Sequence, residues 1–281
     1  MTGLHDTGKT SYIAALRYFV GENDKYSSFT LDNLSTGDDK YITYLSNCWL
    51  ECSRIARSNY SNPSGESVVL NLNRVDSGKS IVLDIPDLLG ETFNMQFKKR
   101  VWSQDFYHKM KEVTGMLMFV NPEDPFNMPK LIYHENEHLR AFGEEPINNP
   151  EGEKTFNMDE IPNQVKLVDF LQFVQLYCQP ALPLKLGVII SRWDRVESAL
   201  GTKVKPCNWL EKSLPLLFQF LTSNSQDFSC RYFGVSAQGG DYEVDGVKNE
   251  LLAINPIDRI LVKDEDEKTN DIGRPLLWVT S

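Results

Sequence analysis

Cysteine is scarce and scattered in this chain. Five occur in 281 residues, at Cys48, Cys52, Cys178, Cys207 and Cys230, with no C-x-x-C pair. An odd, dispersed set excludes a disulfide framework and reads as reduced thiols of a cytoplasmic protein. Cys48 and Cys52 stand four apart, the spacing of one helix face. That spacing allows half of a two-thiol metal site, but core packing is the plainer reading. Long apolar runs are also missing. No stretch approaches the ~20 residues that cross a bilayer, so no membrane segment is expected. Positive charge is in deficit: 29 Lys and Arg against 39 Asp and Glu leave a net charge of −10. This excludes a general nucleic-acid surface, whose affinity comes from clustered cations.

What the chain does have is a regular alternation. Residues 10–20 place Ile13, Leu16 and Val20 on one face and predict a helix. A polar stretch runs to residue 40, and 41–56 predicts a second helix carrying Leu45, Trp49 and Cys52. SNPSGE (61–66) reads as a loop. SVVLNLN (67–73) and SIVLDIPD (80–87) predict a β-hairpin turned by DSGK (76–79). GMLMFVN (115–121), LGVIIS (186–191) and YFGVSA (232–237) are continuous apolar runs of the kind that form buried parallel strands. Helical patterns at 92–112, 164–177 and 208–222 separate them. Such alternation predicts an α/β protein with a mostly parallel sheet. The length suits one domain over 1–281. Residues 121–162 break the rhythm with ten acidic side chains against three basic ones. They read as an acidic surface insertion, a solvated loop rather than a dedicated partner site.

The first ten residues contain Gly3-Leu4-His5-Asp6-Thr7-Gly8-Lys9-Thr10. This is G-x-x-x-x-G-K-[ST], the phosphate-binding P-loop. Its glycines let successive backbone N–H groups curl round phosphate oxygens at a helix N-terminus. Gly3, Asp6, Thr7, Gly8, Lys9, Thr10 and Ser11 are therefore candidate nucleotide contacts. Lys9 would reach the β- and γ-phosphates, and the Thr10 hydroxyl would ligate Mg²⁺. A second strand should end in an acid near that ion. Asp87-Leu88-Leu89-Gly90 meets the requirement: Asp87 would hold Mg²⁺ through water, and Gly90 N–H would meet the γ-phosphate. Glu91 follows where a group orienting the attacking water belongs. Base selection falls to Ser191-Arg192-Trp193-Asp194. A carboxylate at Asp194 accepts N1–H and N2–H of guanine together, a donor pair adenine lacks. Arg192 would cover one base face. Ser236, Ala237 and Gln238 would bring a backbone N–H to the guanine oxygen. Each segment closes a strand, where open α/β sheets bind ligands.

The order GLHDTGKT, DLLGE, SRWD, SAQ resembles the translation-factor and Ras-like (TRAFAC) class of GTPases. Glu91 stands where Ras-type proteins carry their catalytic glutamine. The DLxGE-type second motif is similar to that of the bacterial double-GTPase group, which is associated with predicted defence and conflict systems. The helix NQVKLVDFLQFV (163–174) and the closing segment DIGRPLLWV (271–279) also resemble that group. The resemblance implies a P-loop NTPase three-layer sandwich with a β-hairpin edge. It implies GTP and GDP as ligands, Mg²⁺, hydrolysis to GDP and phosphate, a switch cycle, and a protein partner such as a second GTPase. Two departures stand out. Ser191 is a short stand-in for the Asn or Thr that braces the P-loop, and Arg192 replaces a lysine. Arg57-Ser58 resembles the Arg-then-Thr switch of heterotrimeric G-protein α subunits. It offers Ser58 as a Mg²⁺ ligand and Arg57 as a finger in cis, against a plain capped helix end. A nucleotide-held interaction module with weak turnover and an ATPase stand as alternatives.

His134-Glu135-Asn136-Glu137-His138 formally matches the zinc-binding H-E-x-x-H pattern, with Glu160 as a conceivable third ligand. Its polar, acidic surroundings read as an exposed helix instead. Only Met1 and Thr2 precede the P-loop, where the fold wants a central strand. An apolar strand of about five residues is expected ahead of Met1, from a cut or misassigned start.

Overall fold

The computed structural model describes residues 1–22, 27–32, 39–54, 68–85, 91–124, 139–140, 142–145, 161–178 and 183–281. In chain order these form β1 (Thr2–Gly3), α1 (Lys9–Gly21), β2 (Phe29–Leu31), α2 (Asp39–Leu50), β3 (Val68–Arg74) and β4 (Ser80–Ile85). Next come α3 (Glu91–Lys99), α4 (Gln104–Glu112), β5 (Gly115–Val120), α5 (Asn163–Tyr177) and β6 (Leu184–Ile190). The last part holds α6 (Trp193–Leu200), α7 (Pro206–Ser213), α8 (Pro215–Ser223), β7 (Phe228–Ser236), α9 (Val247–Leu252), β8 (Leu261–Asp264), β9 (Glu267–Thr269) and α10 (Arg274–Val279).

The main sheet has the order β1-β5-β6-β7-β8-β9. Its first four strands run parallel, and β8 and β9 join antiparallel. The apolar runs lie here because parallel strands must bury both faces. On β5, Leu117 and Phe119 face the core shared with α1, α2 and α10. Met116, Met118 and Val120 face the core built by α3 to α8. That arrangement is the expected three-layer sandwich. The predicted hairpin forms: β3 and β4 pair antiparallel from Val68↔Ile85 to Asn73↔Ser80. With β2 it makes a sheet of its own, β2-β3-β4. The amino group of Met1 donates to the Asp84 carbonyl of β4 (2.8 Å), one contact between the two sheets.

Three helices differ from the sequence reading, each for a local reason. The helix expected over 41–56 stops at Leu50. Cys52 takes a left-handed φ of 49°, and Ser53 N–H closes on the Cys48 carbonyl (2.8 Å), a helix-ending geometry. Cys52 is thus outside the helix, buried, and accepts from Arg259 Nη1 (3.2 Å). Cys48 is buried too, so both thiols pack in the interior. Among the described residues no cluster of three potential metal ligands occurs. The pattern at 92–112 is two helices, α3 and α4. Arg100 breaks it at φ 52°, and Ser103 Oγ caps α4 by accepting from Phe106 N–H (3.2 Å). The pattern at 208–222 is also two helices. Pro215 cannot donate to the preceding turn, so α8 restarts on it. Residues 125–138, 141 and 146–160 lie outside the described residues, and with them His134–His138 and Glu160.

Gly234 on β7 shows how tightly α6 is seated. A Cβ there would lie 2.0 Å from Trp193 Cδ2. The Trp193 indole is fully buried, and its Nε1–H donates to Glu197 Oε1 (3.1 Å). Neither the central strand nor the ring has room to retreat. Gly234→Ala is therefore expected to cost about 3 kcal/mol by overpacking. The melting temperature should fall by roughly 6–12 °C, read by calorimetry without nucleotide.

Candidate functional site

Residues 3–11 pass from the end of β1 into α1. The loop turns through Asp6 at φ 58° and Gly8 at φ 84°. Gly8 caps α1 with no side-chain cap, so the helix presents its first amides to whatever lies in front of it. The crowding here needs glycine: a Cβ on Gly8 would lie 3.0 Å from Ser191 Cβ. Lys9 is 2% exposed. Its Nζ donates to the Gly3 carbonyl (2.8 Å), the Leu4 carbonyl (2.6 Å) and, at 3.4 Å, Thr7 Oγ1. Thr7 Oγ1 in turn donates to the Leu4 carbonyl (2.8 Å). The loop is thus wound round the ammonium group, which lies on the cleft floor.

That floor belongs to a cleft of about 460 Å³, the size of a small-ligand site. Its walls combine three segments far apart in sequence. Asp6, Thr7, Gly8, Lys9, Thr10 and Ser11 form one; Ser191, Arg192 and Asp194 form a second; Ser236, Ala237 and Gln238 form the third. They converge because β1, β6 and β7 run parallel and end on the same sheet edge, so the following loops share one side. Gly3 is buried at the end of β1, and its contribution is the carbonyl that holds Lys9.

At the second segment the Ser191 hydroxyl donates to the Val120 carbonyl (3.0 Å), clasping β6 to β5. The P-loop is held from elsewhere: Asn121 Nδ2 donates to the Asp6 carbonyl (3.1 Å). Arg192, at φ 49°, opens α6. Its guanidinium binds Glu123 (2.6 Å) and lies 3.6 Å from Asp6. Asp194 occupies the first turn of α6, half-buried on the cleft wall. At the third segment Ser236 Oγ accepts from Gly239 N–H (3.2 Å). The Ala237 carbonyl accepts from Trp49 Nε1 (2.7 Å). Trp49 thereby ties α2 to the loop after β7. Tyr41, Arg54, Arg195, Asp241 and Tyr242 also line the cleft. Burial pushes the Tyr242 hydroxyl far above its ordinary range, so it stays protonated.

Some expected site residues are not placed. Arg57, Ser58, Asp87 and Gly90 lie outside the described residues, as does the Glu91 side chain; its backbone opens α3. Other residues at the site were not expected. Asn121 and Glu123 sit just past β5, where the sequence pattern passes from a buried strand into the acidic insertion. The only sequence signal for Asn121 is its place at the C-terminal end of a buried strand.

The family model described as Double-GTPase 1 matches residues 1–279. Searches of curated proteins and of solved structures found no match. The match spans nearly the whole chain and includes every segment lining the cleft. The chain belongs to the Double-GTPase 1 family, and that membership implies binding of a guanine nucleotide.

Proposed function

We propose that the cleft binds GTP, and that the protein hydrolyses it with Mg²⁺ to GDP and phosphate as a molecular switch. The observation carrying this reading is the meeting of the P-loop, Ser191–Asp194 and Ser236–Gln238 round one cleft. In this arrangement the amides of residues 6–11 and the Lys9 ammonium hold the phosphates. Asp194 accepts from the guanine edge, the stem of Arg192 covers the base, and the 236–238 backbone meets the guanine oxygen. The Thr10 hydroxyl, in the first turn of α1 on the cleft wall, is a hard oxygen donor of the kind Mg²⁺ takes. Asp87 and Ser58 are the other donors proposed for it. Bound there, Mg²⁺ supplies neutralisation of charge on the phosphate oxygens. Gly90 N–H senses the γ-phosphate, Glu91 orients or deprotonates water, and Arg57 meets charge developing on the transferred group. A second GTPase is the proposed partner, supported by the family's name and by the resemblance of the motifs. No helix among the described residues is long and apolar enough to cross a membrane.

Titration with fluorescent GTP and ATP, followed by a phosphate-release assay with and without Mg²⁺, tests this. GTP should bind at least a hundredfold more tightly than ATP, the discrimination of a site built on hydrogen bonds to the base. Phosphate release should need Mg²⁺. Equal affinities overturn the guanine assignment. Tight GTP binding without phosphate release overturns hydrolysis and leaves a nucleotide-held interaction module.

A further inference from the structure

Two guanidinium groups flank Asp194 in sequence: Arg192 two residues before it and Arg195 one after. Arg195 is close enough to Asp194 for the two charges to act on each other, and a guanidinium turned onto that carboxylate would occupy its oxygens. Both are drawn elsewhere. Arg192 Nη1 donates to Glu123 Oε2 (2.6 Å), and Arg195 Nη1 donates to Glu123 Oε1 (2.7 Å). Arg195 Nη2 also binds Asp241 Oδ2 (2.5 Å). Among the described residues, none donates a hydrogen bond to Asp194. One carboxylate, with one arginine on each oxygen, thus takes up the competing charge on either side of the proposed base reader.

Glu123 is itself fixed. Its N–H donates to Asn121 Oδ1 (3.0 Å), and the amide of the same Asn121 side chain holds the Asp6 carbonyl. The root of the acidic insertion therefore touches the P-loop and the start of α6 together. Burial raises the Glu123 carboxyl, but hydrogen bonds from Arg192 and Arg195 and their charge outweigh that. It is held below the usual carboxylate range and stays ionised at neutral pH.

We propose that Glu123 is a positioning residue for base selection: together with Asp241 it holds Arg195 off the Asp194 carboxylate, which stays open to the paired N–H donors of a guanine edge. The idea rests on the reading of Asp194 given above. If the Glu123–Arg195 ion pair merely stabilised the fold, Arg195→Ala would be as harmful as Glu123→Ala; removal of a competitor instead leaves GTP affinity near the parent's. Removing Glu123 leaves Arg195 held by Asp241 alone and frees its Nη1 edge to turn onto Asp194, and removing Arg195 as well takes away that competitor.

Fluorescent GTP should be titrated into the parent, Glu123→Ala, Arg195→Ala and the double variant, with nucleotide-free melting temperatures alongside. Glu123→Ala should weaken GTP binding by roughly 30-fold, the scale of one charged hydrogen bond lost. Arg195→Ala alone and the double variant should both bind GTP within roughly threefold of the parent, because the competitor is absent from each; an Arg195→Ala loss as large as that of Glu123→Ala overturns the proposal. Glu123→Gln, which keeps the volume and removes the charge, should show the same pattern if the alanine variant does not fold. Parent-like GTP affinity in the single Glu123 variants, or losses that simply add in the double variant, overturns the proposal. Asp194→Asn, measured in parallel, separates the two readings. If it weakens GTP binding while the Glu123 variants do not, only the Glu123 proposal falls. If it leaves GTP binding intact, base reading by Asp194 falls and this proposal falls with it.

Discussion

Lys9→Ala is expected to abolish GTP hydrolysis and to weaken GTP binding by roughly 10²–10³-fold. That is the scale of one to two hydrogen bonds from a charged donor lost, at about 1.5–3 kcal/mol each. The size follows from where the ammonium sits. It is 2% exposed and held by the Gly3 and Leu4 carbonyls, so its position is fixed before any ligand arrives. A charge pre-placed in a low-dielectric floor interacts with phosphate far more strongly than a mobile surface lysine. The same burial complicates the measurement, because the substitution also takes the donor from the Gly3 carbonyl, at about 1–3 kcal/mol, while the Leu4 carbonyl keeps Thr7 Oγ1. The two effects separate in thermal melts run with and without nucleotide. In the parent, GTP at a hundred times its Kd should add about 2.7 kcal/mol of stability. In Lys9→Ala the nucleotide-free melt should fall and the GTP increment should vanish. Lys9→Met keeps most of the aliphatic stem and should lose the increment as well. Turnover that persists in either variant would remove the P-loop from the proposed site.

The parts of this architecture that sequence made legible share a physical property. β5, β6 and β7 are buried on both faces, so they read as unbroken apolar runs. The helix at Lys9–Gly21 carries its apolar stripe at helical spacing. The segments that line the cleft were legible because each follows the end of a buried strand, where ligand loops of open α/β sheets belong. The elements that escaped lack such restriction. β2 is three residues, Phe29–Leu31, inside a polar stretch, and β8 and β9 are short antiparallel strands. Such segments carry too few alternations to register as strands. The breaks at Arg100 and Leu214 were hidden because the apolar period continues across them, although Pro215 was a readable stop. Trp193 lies inside the Ser191–Asp194 motif, yet its ring is core, packed on Gly234. Asn121 and Glu123 were invisible for another reason. Their roles depend on partners far away in sequence, Asp6 for one and Arg192 and Arg195 for the other. No local pattern encodes such a pairing.

Asp194→Asn should move the base preference from guanine towards xanthine. Asp194 is set rigidly enough for the exchange to be informative. The neighbouring Trp193 ring is locked between α6 and β7, and Arg192 fixes the helix start at a left-handed φ. As a carboxylate, residue 194 offers two acceptors, matching N1–H and N2–H of guanine. As an amide it offers one acceptor and one donor, which match N1–H and the 2-oxygen of xanthine. Two hydrogen bonds to a charged acceptor are worth about 1.5–3 kcal/mol each. GTP affinity should therefore fall by roughly 10²–10⁴-fold, while xanthosine triphosphate gains affinity. ATP, which has neither donor pair, should respond little. The substitution keeps side-chain volume and lies on the cleft wall rather than in the core, so the nucleotide-free melting temperature should stay within about 2 °C of the parent. Competition of each triphosphate against one fluorescent analogue gives all three affinities in a single experiment. A variant that still prefers GTP over xanthosine triphosphate would show that the carboxylate does not read the base. The specificity would then have to come from the loop at Ser236–Gln238, which lines the same cleft.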